Sequence, residues 1–140
     1  MYQVLMPIDT DVDRALAQAE YIANLPGSDE VETMILFVFS GRTGEDLPNE
    51  LKPFKSATRV ESVRRAREYL EEHGVEVEVL DESGDAAEDI IDEANHYDVD
   101  SIVLGGRKRS PAGKVIFGSV TQSVILNTDR PVVVTGAKHH

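Results

Sequence analysis

Six consecutive apolar residues, Met34-Ile35-Leu36-Phe37-Val38-Phe39, constrain this chain more than any other stretch. A strand wetted on one face alternates apolar and polar residues. An unbroken run instead needs cover on both faces, the condition of a central strand in a parallel sheet flanked by helices. The remaining segments supply such a sheet. Tyr2–Ile8 reads as a second buried strand, and Ser101–Leu104 and Pro131–Thr135 as two more. Val75–Leu80 alternates Val75, Val77 and Val79 with Glu76 and Glu78, which predicts a strand at a sheet edge. Helical spacing fills the gaps. Asp11–Leu25 places Leu16, Ala19, Ile22 and Ala23 on one face, with Asp11 in position to cap it and Pro26-Gly27 to stop it. Ser56–His73 carries Val60, Val63, Ala66 and Leu70 and ends at Gly74. Ala86–Tyr97 turns Ile90, Ile91 and Ala94 inward, and Ser119–Asn127 is the last helix. Ser40–Lys55, with Gly41, Gly44 and Pro48, predicts a loop, and Asp81–Asp85 a turn around Gly84.

Strands alternating with helices predict an α/β fold, a doubly wound parallel sheet of five strands with four helices on its two faces. Ligands of such sheets bind beyond the carboxyl ends of the strands, where the strand order reverses. The loops expected to meet there follow strand 1 at Asp9 and strand 4 from Gly105.

Composition narrows the function. At 140 residues we expect one domain over 1–136, with a tail at 137–140 whose His139 and His140 read equally as native or as a tag remnant. The chain has no cysteine, which excludes thiolate catalysis and cysteine-ligated zinc. Asp and Glu number 26 against 14 Lys and Arg, a net charge of −12. That balance argues against binding to nucleic acid or to an anionic membrane, and an acidic surface keeps a protein hydrated in strong salt, so we read the chain as halophilic, with a merely acidic mesophile as the alternative. No apolar run is long enough to span a membrane and Tyr2–Ile8 does not read as a secretory leader, so the expected compartment is the cytoplasm.

Against this acidity, the segment LGGRKRSPAGKVIFGSVT from Leu104 to Thr121 carries Arg107, Lys108, Arg109 and Lys114 and no acid. It joins a strand to a helix N-terminus, where backbone N–H groups lack intrahelical partners and the helix dipole favours negative charge. Gly105-Gly106 reads either as a close approach to a ligand or as a tight turn. Gly118-Ser119 reads either as a phosphate seat, formed by the N–H groups of Gly118, Ser119 and Val120 with the Ser119 hydroxyl, or as a plain cap by Ser119. The basic loop beside it favours the anion. The segment is not a Walker loop, because Gly113-Lys114 is followed by Val115, and no Gly-x-Gly-x-x-Gly follows the first strand.

Over essentially its full length the chain resembles the universal stress protein family. The family's nucleotide-binding members carry Gly-x2-Gly-x9-Gly-Ser/Thr after strand 4; this chain reads Gly105-x2-Lys108-x9-Gly118-Ser119, with the spacing kept. Met6-Pro7-Ile8-Asp9 matches the family's strand 1, Ile35-Leu36-Phe37-Val38 its strand 2, and Asn127 with Arg130-Pro131-Val132-Val133-Val134 its closing helix and strand. The resemblance implies an adenine nucleotide alpha hydrolase-like fold with strand order 3-2-1-4-5, and a stress sensor or regulator that binds ATP or a related nucleotide (AMP or ADP), with Mg²⁺ on the phosphates. By position it implies that Pro7 and Asp9 line the site, with Asp9 facing the ribose and adenine. Val38 offers backbone contacts to the adenine edge, Leu104 and Gly105 lie along the ribose, and Gly118, Ser119, Val120 and Thr121 hold phosphates. It also implies a homodimer through the last strand, Pro131, Val132, Val133 and Val134. For Asp9 a turn or helix cap is the competing reading, and for Val38 plain core. One departure is Lys108, where the family has its second glycine. Either Lys108, with Arg107 and Arg109, exchanges backbone cradling for side-chain clamping, or the substitution marks a lost site and the cations project into solvent.

Catalysis has little support. His73 and His96 lie near helix C-termini, where the dipole explains them, and the four histidines show no metal-ligand spacing. Glu68, Glu71 and Glu72 read as a solvated helix face, and Asp85 as a cap. Two other classes compete with the nucleotide regulator. One is a dimeric stress interaction module that binds no nucleotide, favoured by Lys108. The other is an adenylating or flavin-binding enzyme, which needs a pyrophosphate loop or second domain where this chain has Asp9-Thr10-Asp11-Val12.

Overall fold

The computed structural model describes residues 1–38, 60–83, 86–106 and 118–136. The loop expected at Ser40–Lys55, the turn at Gly84-Asp85, the basic residues Arg107, Lys108, Arg109 and Lys114, and the tail lie outside the described residues.

Five parallel strands, β1 (Tyr2–Ile8), β2 (Val31–Val38), β3 (Glu76–Ser83), β4 (Ser101–Gly105) and β5 (Val132–Thr135), form one sheet in the order β3-β2-β1-β4-β5. Four helices, α1 (Val12–Ala23), α2 (Glu61–Glu72), α3 (Ala86–Tyr97) and α4 (Ser119–Asn127), connect them. The expected order is thus the observed one. The apolar run of β2 explains the layering. Ile35 and Phe37 pack with Ala15, Ala19 and Ile22 of α1 and Val63, Ala66 and Leu70 of α2. Met34, Leu36 and Val38 point the other way, among Ile90 and Ala94 of α3 and Val124 of α4. Each such fully buried side chain is worth roughly 1.5–3 kcal/mol relative to exposure, so a polar residue at either parity would weaken one of the two layers.

Several boundaries differ from expectation for identifiable reasons. Ser83 pairs with Val38, so β3 continues past Leu80 through the segment expected to turn. The buried residues of α1 are Ala15, Ala17, Gln18, Ala19 and Ile22, with Leu16 half-buried; a polar residue occupies a core position and shifts the apparent apolar face. Ile91 of α3 is likewise only half-buried. Pro131 precedes β5 rather than opening it, and its carbonyl accepts from the Ile102 N–H at 2.9 Å. Among the described residues no helix is long and apolar enough to cross a membrane.

The switch point lies between β1 and β4. These strands are in register at Val4↔Ser101 and Leu5↔Ile102. Beyond those pairs the Gln18 amide links them, donating to the Pro7 carbonyl of β1 at 2.8 Å and the Val103 carbonyl of β4 at 3.0 Å. The ligand-binding end of a doubly wound sheet opens there.

Candidate functional site

A cleft of about 120 Å³ sits at the switch point. It gathers Pro7 and Asp9 from the end of β1, Val38 from the end of β2, Leu104 and Gly105 from the end of β4, and Gly118, Ser119, Val120 and Thr121 from the start of α4. These residues span most of the chain in sequence, and they converge because parallel strands bring their carboxyl ends to one side. Arg107 and Lys108 lie outside the described residues.

The β1–α1 connection is held at each atom that matters to the cleft. The Asp9 carboxylate accepts the Asp11 N–H at 2.9 Å with one oxygen and a hydrogen bond from Arg14 Nη1 with the other. The Asp9 carbonyl accepts from the hydroxyl of Ser62, a fully buried residue of α2. Asp11 caps α1 as expected, its carboxylate accepting the Arg14 N–H at 3.0 Å. Asp9 therefore does take the turn-forming role, while its side chain, 37% exposed, still lines the cleft. Val38 is likewise both core and cleft: it is buried in the α3–α4 layer and closes one wall.

Gly105 is needed for a contact that sequence reasoning did not anticipate. A Cβ at that position would lie 2.4 Å from Cγ and 2.8 Å from Cδ of Arg14, and 2.9 Å from Oε1 of Gln18. The space a side chain would take is filled by the stem of Arg14. Gly106 is not a turn; its N–H donates to the Thr135 carbonyl at 2.7 Å and extends the β4–β5 pairing.

At α4 the cap position is Gly118, at φ −78° and ψ 171°, and no side chain caps the helix among the described residues. Ser119 is the first helical residue and not the cap, which corrects the simpler reading of Gly118-Ser119. The turn closes with the Gln122 N–H on the Gly118 carbonyl at 3.1 Å. The N–H groups of Ser119, Val120 and Thr121 thus open α4 beside the cleft without intrahelical acceptors, which is the arrangement that suits an anion.

Three lining residues escaped the sequence reading: Arg14, Gln18 and Ile90. Ile90 was assigned only to the core. Arg14 carries a faint signal in its spacing, three residues after Asp11, which allows an ion pair on the first turn of a helix. Gln18 is marked by being a polar residue at the centre of the apolar stripe of α1.

Comparison with known proteins places the architecture in a family. A family model described as the universal stress protein family matches residues 1–136. The stress response protein NhaX of Bacillus subtilis (strain 168) is 36% identical over 74 residues, which are 53% of this chain and 45% of that protein. The chain spans about half the length of the curated relatives it matches. Among solved structures, a universal stress protein from Archaeoglobus fulgidus is 28% identical with a TM-score of 0.71, covering 96% of this chain and 98% of that one. The structure of the Archaeoglobus fulgidus universal stress protein in complex with dAMP is 24% identical with a TM-score of 0.69 and the same coverage, a likeness of fold. With the matched model running from the first strand through the last, the chain belongs to the universal stress protein family.

Proposed function

We propose that this chain binds an adenine nucleotide in the switch-point cleft and acts as a stress-response regulator. The observation that carries this reading is convergence: Pro7, Asp9, Val38, Leu104, Gly105 and the first turn of α4, the positions the family resemblance implies, line one cleft. The solved relative of the same fold carrying dAMP supports the class of ligand. In this reading the N-terminus of α4 receives phosphate, Val38 and Pro7 face the base, and Leu104 and Gly105 face the sugar.

ATP, with AMP and ADP as alternatives, remains the proposed ligand. Mg²⁺ belongs to the proposal only as an ion carried by the phosphates. Among the described residues no group of three or more His, Asp or Glu side chains is placed to hold a metal, and the Asp9 carboxylate is already engaged by Arg14 and the Asp11 N–H. Those residues do not form a resident cage, and Mg²⁺ commonly binds through substrate phosphates and water. We further propose a single domain over 1–136, a cytoplasmic setting, adaptation to strong salt, and a homodimer through β5.

The test is to purify the protein in molar KCl, denature it and identify released small molecules by mass spectrometry. Stoichiometric adenine nucleotide is the expected result. Protein that carries none and takes up none from millimolar ATP would favour the interaction module, with Lys108 as the mark of a lost site.

A further inference from the structure

Among the described residues that line the cleft, Arg14 is the one cation. We propose that Arg14 is a specificity-determining residue, reading an anionic oxygen of the ligand so that the cleft favours a phosphorylated nucleoside over the bare nucleoside. This rests on the nucleotide reading above and refines it.

Arg14 is held in place at both ends. Its stem crosses the β4 terminus in the space left by Gly105. Its guanidinium is paired to Asp9 through Nη1 and lies 3.5 Å from the Asp11 carboxylate through Nη2. A side chain so fixed loses little freedom when it meets a ligand, and its planar fork keeps its direction. The carboxylates engage the two terminal nitrogens, while Nε is buried and has no hydrogen-bond partner among the described residues. Nε is closed off from the cleft, but each terminal nitrogen carries a second N–H, and a phosphate oxygen in the cleft is an acceptor of the strongest kind for a guanidinium.

Asp9 completes the recognition. Its partly exposed carboxylate has acceptor capacity beyond its two protein bonds, which suits a sugar hydroxyl. A donor to an anion beside an acceptor for a hydroxyl matches a sugar phosphate. With its side chain 23% exposed, Arg14 is also screened by salt less than a surface cation.

A purely structural Arg14, one that only steadies Asp9 and the start of α1, also weakens binding when removed. The two roles part on ligand charge. The experiment is calorimetric titration of wild type, Arg14→Gln and Arg14→Lys with AMP and with adenosine at fixed ionic strength, folding being checked by thermal melting. We expect wild type to prefer AMP, and Arg14→Gln to lose about tenfold or more of its AMP affinity while adenosine affinity changes by less than about threefold. Arg14→Lys, which keeps charge without the fork, should fall between them for AMP alone, and it carries the test if Arg14→Gln does not fold. A parallel fall for both ligands, an unchanged AMP affinity, or a wild type without preference would overturn the proposal. A wild type that binds neither ligand overturns the nucleotide reading itself, and Arg14's role with it, before any variant is measured.

Discussion

Gln18 shows how a single residue lines the cleft and ties two strands together. It is 1% exposed, and its amide donates to carbonyls on β1 and β4 where those strands leave their paired register. Gln18→Leu keeps the approximate volume but leaves two carbonyls without their side-chain donor, so chemical denaturation should show a loss of about 2 kcal/mol. A variant as stable as wild type would show that the bridge contributes nothing. The residue also marks where sequence reasoning stops. Helical periodicity identifies α1, but it sorts residues by polarity and so excludes the polar member of the buried face. Arg14 escaped for a related reason: an arginine on the first turn of a helix reads as solvated. Its burial depends on Gly105, a glycine 91 positions away by number that meets it only in the folded sheet. By contrast, Asp9 and Gly118 are legible from where the first strand ends and the last helix begins, whereas Val38 enters only through the family resemblance.

At the scale of elements, apolar pattern separated the central β2 from the edge strand β3. β2 buries both parities and lies inside the sheet; β3 exposes Glu76 and Glu78 and lies at its edge. The opposite edge, β5, differs in character. Val132, Val133 and Val134 are half-buried, and the strand pairs with β4 alone in the five-strand order. A short apolar edge with one free side is a template for a second strand. The preceding helix α4 exposes Leu126 at 81% and Ile125 at 39%. The proposed homodimer covers this edge. Val133→Lys should then reduce the dimer fraction seen by light scattering, whereas an unchanged mass would count against β5 as the interface. Turn and cap details were less legible than the elements: β3 gained residues because its partner strand extended the ladder to Val38↔Ser83, information that lies in β2 rather than in β3.

On the scale of the whole molecule, a doubly wound sheet fixes the position of a ligand site before any side chain is chosen, because the strand order reverses once, between β1 and β4. The chain then sets a helix N-terminus, without a side-chain cap among the described residues, and a half-buried arginine around that point in a protein of net charge −12. The proposed anion site, within so acidic a molecule, favours a small phosphorylated ligand over a polyanion, whose length would bring it against the rest of the surface. The most direct measurement is a titration of isotopically labelled protein with ATP·Mg²⁺ in molar KCl, following backbone amide signals by NMR. The account predicts saturable shifts at Val38, Gly105, Ser119, Val120 and Thr121. Signals that stay unmoved at millimolar ligand, or shifts confined to the far end of the sheet around Tyr2, Tyr21 and Val31, would contradict it.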